Sequence, residues 1–542
     1  MNFTVSDLQI RKRRQESIMN INGRDFAGRS PFLHGRIFKQ ALEGYENRRE
    51  NPKRAKRSEA RSVNSDSSCY NRLVTGFRHS FHHGNQCADT LMSQEEFHYM
   101  AYQIPRGTQD IYGDEGYRWQ QLEKLLRHFC ALYNFDEIRT PIFEHTPVFK
   151  RENDSSDMVN KEMYTFTPAN SNTSLTLRPE GTAGVVRSYV ENHMYASPDL
   201  PVKLYYLGPM HRHERPQKGR LRIFNQFGVE SLGIKSPYAD AEVMVLAYSI
   251  LKALGLENIT ILLNTLGDDE SRAAYRNALR EYFAPYVDDL CFDCKRRYEQ
   301  NPLRLLDCKV DHDKECMKNA PKMSDYLNEE SRAYFETVKQ LLDQMEIPYR
   351  VDDNLVRGLD YYTHTVFEIV SENQQMGAQS TLLAGGRYDN LIPYFGGPAQ
   401  SGIGWALGEE RLLIALEAEG IDLGRKPEMD VYVMVLNPEA RSYAFELLTQ
   451  LRANGFRSEM DMQGKSFKGQ FKAADRAGAQ VTMLIGEDEM NSHQVTLKNK
   501  QTKEQITVAA HEMIDALDAW FNEDDHDHDH DHHDHDHHDH EE

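Results

Sequence analysis

Arg212, Arg215, Phe224, Gln226 and Glu230 fall within one segment, GPMHRHERPQKGRLRIFNQFGVESLG (residues 208–233), whose two halves read as strands joined by a basic polar loop. In the second half, Arg222, Phe224, Gln226, Gly228 and Glu230 share one strand face. Ile223, Asn225, Phe227 and Val229 share the other, mainly apolar face, because successive side chains in a strand alternate. Guanidinium groups take phosphate oxygens two at a time, and an aromatic such as Phe224 can stack a base. A solvated charged hairpin is the plainer reading, but it gives no reason for an aromatic between an arginine and an amide.

Four further segments carry chemistry-bearing residues. RPEGTAGVVRSYV (178–190) sets Arg178, Glu180 and Thr182 around Gly181, just before a helical run. A carboxylate and a hydroxyl there can capture an amine with the backbone close by, and a bare helix start explains the same letters. LVRGLDYYTHTVFE offers Arg357, Asp360, Tyr361 and Tyr362 in a strand-like context, which a half-buried strand also accommodates. LLAGGRYDNL (382–391) and GIGWALGEERLLI (402–414) read as glycine-rich turns, the second running into an apolar helix that bears Arg411. The arginine-rich set has no Ser–His or Cys–His signature of a protein nucleophile.

Two segments suggest metals. Cys291-x2-Cys294 with Cys308 and Cys316 makes a candidate four-cysteine zinc set. Its later spacing, thirteen and seven intervening residues, is not that of a usual knuckle, so free thiols and no firmly bound metal are expected. The His/Asp tail, with nine histidines, should bind Ni2+ or Zn2+ loosely.

The elements that position these residues follow from pattern. The 542 residues suffice for several domains. Seven cysteines point to a reducing compartment rather than a disulfide scaffold. No apolar run approaches a membrane span and no secretory h-region is present, so a soluble cytoplasmic protein without membrane contact is expected. The net charge of −20 divides unevenly: residues 523–542 contribute −11, residues 1–99 contribute +6, and the body carries −15. Any nucleic-acid contact must therefore use local basic patches.

Residues 1–99 show no sustained period and read as a disordered extension. Eleven acidic residues there argue against a transit peptide. The peptide QEEFHYM, ending at Met100, can be encoded by a purine-rich ribosome-binding sequence before an ATG, which predicts a mistranslated leader and a start at Met100. A helix from Tyr117 and the extended DEIRTPIFE, interrupted by Pro141, open a catalytic domain over 100–266. A charged helical insertion at 267–350 follows, and strands over 355–370 and 379–385 with a helix at 405–419 complete the domain at 351–422. After a linker, β and α patterns alternate over 429–522 and predict a small α/β domain, then the low-complexity tail 523–542.

In this order, RPEGT, GPMHRHERPQKGR…NQFGVE, VRGLDYY, AGGRYD and GIGWALGEERL closely resemble the class II histidyl-tRNA synthetases, over about Ile104 to Phe521. RGLDYY is the part that points to histidine. The resemblance implies an α+β fold: a class II antiparallel sheet with helices, a helical insertion, and a C-terminal α/β anticodon-binding domain. It implies a homodimer, with IRTPIFE in the dimer element, and two reactions. L-Histidine and ATP, with Mg2+, give histidyl-adenylate and pyrophosphate, and the histidyl group then passes to the 3′ end of tRNA(His).

The resemblance assigns the ATP phosphates to Arg212 and Arg411, with Phe224 against adenine. Arg357 bridges the histidine carboxylate and the α-phosphate, and Glu180 and Thr182 hold the α-amino group, with Gly181, Gln226 and Arg212 also in the histidine pocket. Glu230 and Tyr362 meet the two imidazole nitrogens, with Tyr361 nearby. Gln217, Lys218 and Arg220 touch the tRNA acceptor end. A ring with polar atoms on both sides satisfies groups that an apolar amino acid leaves unpaired, so no editing domain is expected. His211 departs from the aromatic expected there and could add pH sensitivity. The alternative reading is a non-catalytic paralogue regulating histidine biosynthesis, which typically lacks the anticodon domain and has eroded ATP motifs.

Overall fold

The computed structural model describes residues 102–523 apart from 152–157, 307, 309, 357, 358 and 360. The expectations for residues 1–99 and the start at Met100, for the tail from Asp524, and for Arg357 and Asp360 lie outside the described residues.

Helix α1 (Gly113–Leu132) buries Trp119, Leu122, Leu126 and Cys130 on one helical face, the last three in the core on the main sheet. The extended stretch after it splits at Pro141. Strand β1 (Asp136–Glu137) joins the main sheet, and β2 (Phe143–His145) joins a three-stranded sheet with β3 (Thr165–Phe166) and β4 (Leu175–Leu177). Helix α2 (Thr182–Glu191) precedes the opening hairpin, β5 (Val202–His211) and β6 (Ile223–Leu232). The hairpin pairs without interruption from Val202↔Leu232 to His211↔Ile223.

Helix α3 (Pro237–Ala253) and β7 (Ile259–Thr265) follow, then α4 (Asp269–Phe283), α5 (Phe292–Gln300) and α6 (Glu329–Gln344) leave the sheet before β8 (Tyr349–Val351) returns to it. β9 (Thr363–Ser371), β10 (Thr381–Tyr388), β11 (Gly402–Gly408) and α7 (Glu409–Ala418) complete this unit. The eight strands run β1-β5-β6-β11-β10-β9-β7-β8, antiparallel in the interior, with parallel pairs at the two edges.

One sheet face carries the main core. Phe227 and Val229 of β6 and Trp405 of β11 pack there with residues of α1, α3, α6 and α7. The opposite face packs α2 through Val185, Val186 and Tyr189 against Tyr206, Tyr361, Tyr362 and Tyr388. The alternation read from Arg222 to Glu230 therefore separates two environments: core below, candidate site above. Between β7 and β8, α6 joins the main core through Phe335, Val338 and Leu342, whereas α4, α5 and the loops after them share a small core of their own.

Two sequence expectations change. The strand expected over 355–370 begins only at Thr363 and is irregular at that end, where His364 takes φ 42° and the pairing of β9 with β10 shifts register at Gly386/Arg387. Tyr361 and Tyr362 thus precede the strand. The helix expected at 405–419 begins at Glu409, and GIGWALG is a central strand rather than a turn. Its glycines, and those of AGG in β10, leave room for side chains crossing the sheet. A Cβ at 404 would fall on the Glu230 carboxylate, one at 402 on the Tyr388 ring, and one at 386 against Tyr362 and the carbonyl of Thr365.

The second unit begins at Pro427. It is a five-stranded sheet, β13-β12-β14-β15-β16, from β12 (Val431–Val435), β13 (Ser458–Met460), β14 (Val481–Ile485), β15 (Gln494–Asn499) and β16 (Gln505–Ala509). The first three strands in this order are parallel, as their β-α-β spacing predicts, with α8 (Arg441–Ala453) and α9 (Phe467–Arg476) as connections. Strand β16 and helix α10 (Met513–Glu523) were not apparent from the pattern. Among the described residues no helix is long and apolar enough to cross a membrane.

Candidate active site

The site lies on the upper face of β6, β10 and β11. Glu230 is fully buried at its centre. Its Oε1 accepts the Thr182 hydroxyl at 2.6 Å and its Oε2 accepts the Tyr388 hydroxyl at 2.5 Å. Burial pushes the carboxyl up to about 8, against the lowering effect of those two hydrogen bonds. Glu180 is a second buried carboxylate. Its oxygens accept the amides of Thr182 (2.6 Å) and Ala183 (2.9 Å) at the start of α2, and burial raises its pKa. Glu180 is therefore both a helix cap and an acid facing the site, so the two readings of RPEGT are compatible.

Gly181 is required by a neighbour: a Cβ there, or at Gly228, would strike the Tyr206 ring. The tyrosines form a wall. Tyr361 and Tyr362 have ring centroids 4.7 Å apart, and Tyr361 meets Tyr388 edge-on at 5.7 Å. Burial raises the hydroxyls of Tyr206, Tyr361 and Tyr388, which stay protonated as donors. Gln226 has a buried side-chain oxygen with no partner in the described protein, an amide ready for a ligand.

Arginines lie beside this chamber. Arg212 donates from Nε to the Pro179 carbonyl (2.8 Å), and its guanidinium sits 5.1 Å over the Phe224 ring. Arg411 donates to the Thr381 carbonyl (2.8 Å). Burial pulls its pKa down, and the nearby Arg220 and Arg212 act in the same direction. Glu214 holds this cationic group together, 3.2 Å from Arg220 and 3.9 Å from Arg212. At the hairpin tip, Gln217 and Arg220 exchange backbone hydrogen bonds around Gly219 at φ 69°, leaving Gln217, Lys218 and Arg220 exposed. A chamber with two carboxylates, phenols and an amide next to converging guanidiniums suits a small ligand bearing nitrogen donors joined to a polyanion.

The structure thus gathers Glu180, Thr182, Glu230, Tyr361, Tyr362 and Gln226 on one side, and Arg212, Phe224, Arg411 and Arg220 on the other. Arg178 stands apart, donating to the carbonyls of Pro209 (2.9 Å) and Thr140 (3.0 Å) as a framework residue. Sequence reasoning missed Tyr388, Glu214, Tyr206 and Arg151, whose guanidinium lies 4.7 Å over the Tyr361 ring. Tyr388 lies in AGGRYD and Glu214 in HRHERP, so both were within quoted motifs; Arg151 lies in none. His211 is buried, and desolvation lowers its pKa from the ordinary histidine value.

The four-cysteine set also changes. Cys291, Cys294 and Cys308 come together with Asp311, not Cys316. A tight turn, with the Asp311 amide donating to Cys308 Sγ at 3.3 Å, returns the third residue after Cys308 to the sulfurs and carries Cys316 into the next short helix.

Comparison with known proteins places the chain in a family. The family model of histidyl-tRNA synthetase matches residues 107–412, and that of an anticodon binding domain matches residues 430–520. The histidine–tRNA ligase of Bacillus licheniformis is 51% identical over 416 residues, covering 77% of this chain and 98% of the relative. That of Bacillus subtilis is 52% identical over 421 residues, covering 78% and 99%. The apo structure of S. aureus histidyl-tRNA synthetase aligns with a TM-score of 0.67 at 42% identity, over 77% of this chain and 99% of that one. With relatives matched almost end to end at about half identity, this chain belongs to the histidyl-tRNA synthetase family.

Proposed function

We propose that the chain is a histidine–tRNA ligase that activates L-histidine with ATP and transfers it to the 3′ end of tRNA(His). The observation that carries this reading is the buried Glu230, held between Thr182 and Tyr388 beside a second buried carboxylate and next to the arginines. In this reading Glu230 and Tyr362 hold the imidazole nitrogens, with Tyr361 and Tyr388 closing the wall. Glu180, Thr182 and Gln226 receive the α-amino group. Arg212 and Arg411 hold the phosphates of ATP, which arrives with Mg2+ as part of the substrate, and Phe224 lies against adenine.

The histidine carboxylate attacks the α-phosphorus, and the bond to the β-phosphate bridging oxygen breaks, releasing pyrophosphate. The chain contributes position and fixed positive charge, not a nucleophile. Arg357 is assigned to the shared point of carboxylate and α-phosphate by the VRGLDYY motif. Gln217, Lys218 and Arg220 then meet the acceptor end, and the unit from Pro427 reads the anticodon.

A cytoplasmic homodimer completes the reading. Ile142, Phe143 and Phe166 expose large apolar side chains on or beside the three-stranded sheet, with Phe143 and Phe166 in edge contact at 6.3 Å. Such a patch suits a second copy of the chain.

The test is histidine-dependent exchange between ATP and pyrophosphate. The chain should support exchange with histidine alone among the amino acids, and Arg411→Ala and Arg357→Ala should each abolish most of it. A folded protein that binds tRNA yet shows no exchange would establish the non-catalytic reading instead.

A further inference from the structure

Outside the active site, the described residues contain one group of side chains able to hold a metal: Cys291, Cys294, Cys308 and Asp311. Their candidate ligand atoms, three sulfurs and a carboxylate oxygen, all lie within 4.8 Å of one another. We propose that these four residues bind a single structural zinc ion, leaving Cys316 out.

The spacing becomes regular once Asp311 replaces Cys316. Cys291-x2-Cys294 and Cys308-x2-Asp311 are two equal turns, each bringing residues i and i+3 to one point. The first opens α5, with Cys291 just before the helix and Cys294 in its first turn. The second closes on the hydrogen bond from the Asp311 amide to Cys308 Sγ.

Two of the distances are close to those between coordinated ligands. Cys291 Sγ and Cys308 Sγ are 3.8 Å apart, and Cys308 Sγ lies 3.8 Å from Asp311 Oδ2. A tetrahedron with bonds of about 2.3 Å has sulfur–sulfur edges of about 3.8 Å, whereas a disulfide requires about 2.05 Å. Cys291 and Cys308 are thus at ligand separation without being bonded.

Burial and orientation point the same way. Cys294, Cys308 and Asp311 are all buried. The Asp311 carboxylate is fixed by two partners, the Cys291 amide on Oδ2 (2.8 Å) and Lys314 Nζ on Oδ1 (2.9 Å). That leaves Oδ2 also facing the Cys308 thiol at 3.8 Å, so the carboxylate is already oriented toward the sulfurs where a cation would bind. Binding converts three thiols to thiolates, releases three protons to solvent and forms four coordinate bonds, with no electron transferred. Lys314 offsets part of the resulting negative charge and orients the carboxylate.

The location gives the ion a purpose. The small core of Tyr275, Leu279, Phe283, Leu303 and Leu305 is of the scale at which folds recruit a staple. Zinc would tie the start of α5 to the turn at 308–311. In that same first turn Asp293 lies 3.9 Å from Lys161, and the adjacent Glu162 carbonyl accepts the amide of His213 in the active-site hairpin.

Cobalt is the discriminating probe, because the histidine-rich tail is itself expected to bind metals. The full chain, stripped with chelator, is titrated with Co2+. The expected result is a thiolate-to-cobalt charge-transfer band that saturates at one equivalent, with the intense visible bands of a tetrahedral ion; tail imidazoles and carboxylates give no thiolate band. Cys294→Ser should remove the band and Cys316→Ser should keep it. Asp311→Ala should keep sulfur ligation but weaken zinc retention against a chelator by at least roughly tenfold. As Cys294→Ser can fail to fold, the unmutated chain is also read: zinc should shield three thiols from a disulfide reagent, and chelator should release them. No thiolate band, or thiols equally reactive with and without zinc, overturns the site. Loss of the band in Cys316→Ser overturns this ligand set.

Discussion

Gly404 shows how closely the site is fitted at the scale of single residues. A methyl group there would meet both the Glu230 carboxylate and the Val229 carbonyl. The carbonyl belongs to a strand in full register with β11, so the methyl group must disturb the pairing of these two central strands as well as displace Glu230. Gly404→Ala should therefore lower the melting temperature, read by circular dichroism, and abolish most histidine-dependent exchange. Gly408→Ala, whose Cβ meets nothing within 4 Å, should retain it.

Glu230 also leaves a mark on pH dependence. An unfolded glutamate ionises near 4.3, and burial holds this one up to about 8. Between those values the folded chain keeps a proton that the unfolded chain has released, so stability falls as pH rises and levels off above about 8. Glu180, Glu409 and Glu410 shift in the same direction and add to the slope. Glu230→Gln should therefore flatten, not abolish, the decline in melting temperature between pH 5 and 8.5 without histidine; an unchanged slope would show that Glu230 ionises normally. The polar face holding Glu230 was legible because a period of two needs only neighbouring letters. Tyr388, bonded to it from a position 158 residues away, was not, since no local pattern encodes that meeting.

Elements explain why the glycines misled. AGG and GIG carry the same letters as turns, but here each omits side chains where two central strands pass under tyrosines and a carboxylate. Only the neighbouring strands distinguish the cases. The arginine of AGGRYD is similarly architectural. Fully buried, Arg387 donates from Nε to Asp240 Oδ1 (2.9 Å) and from Nη1 to the Ile234 carbonyl (3.0 Å), and it also meets Ser401. It thereby ties β10 to the start of α3, with Tyr334 of α6 donating to the same carboxylate at 3.1 Å. Asp240→Ala leaves the buried Arg387 with only the more distant Asp389 carboxylate, 3.9 Å away, and should cost about 3–5 kcal/mol in urea unfolding. The double change Asp240→Leu with Arg387→Met should recover part of that loss, because it is the orphaned ion that destabilises most. If the single variant unfolds at the parental urea concentration, the pair does not hold these elements together.

At the scale of the molecule, two units with separate cores divide the chemistry, the boundary falling between Lys426 and Pro427. The proposed adenylate site draws only on residues before that boundary. The second unit presents a different surface: on α9, Phe467, Lys468, Phe471 and Lys472 are exposed, while Gln470 is buried and pairs with both backbone groups of Val435 at 2.8 Å. Interleaved rings and lysines suit unstacked bases and phosphates of a single-stranded loop, and supply a local basic patch in addition to the hairpin tip with Lys218 and Arg220. The sequence pattern showed this helix and its charge; that its aromatic rings face outward required the sheet to be in place. Lys468→Glu with Lys472→Glu should lower the rate of tRNA charging at limiting tRNA and leave ATP–pyrophosphate exchange unchanged. The charging defect should narrow as salt rises, because phosphate contacts weaken in the parent. An equal fall in both reactions would mean that α9 supports the fold of the whole enzyme rather than its hold on tRNA.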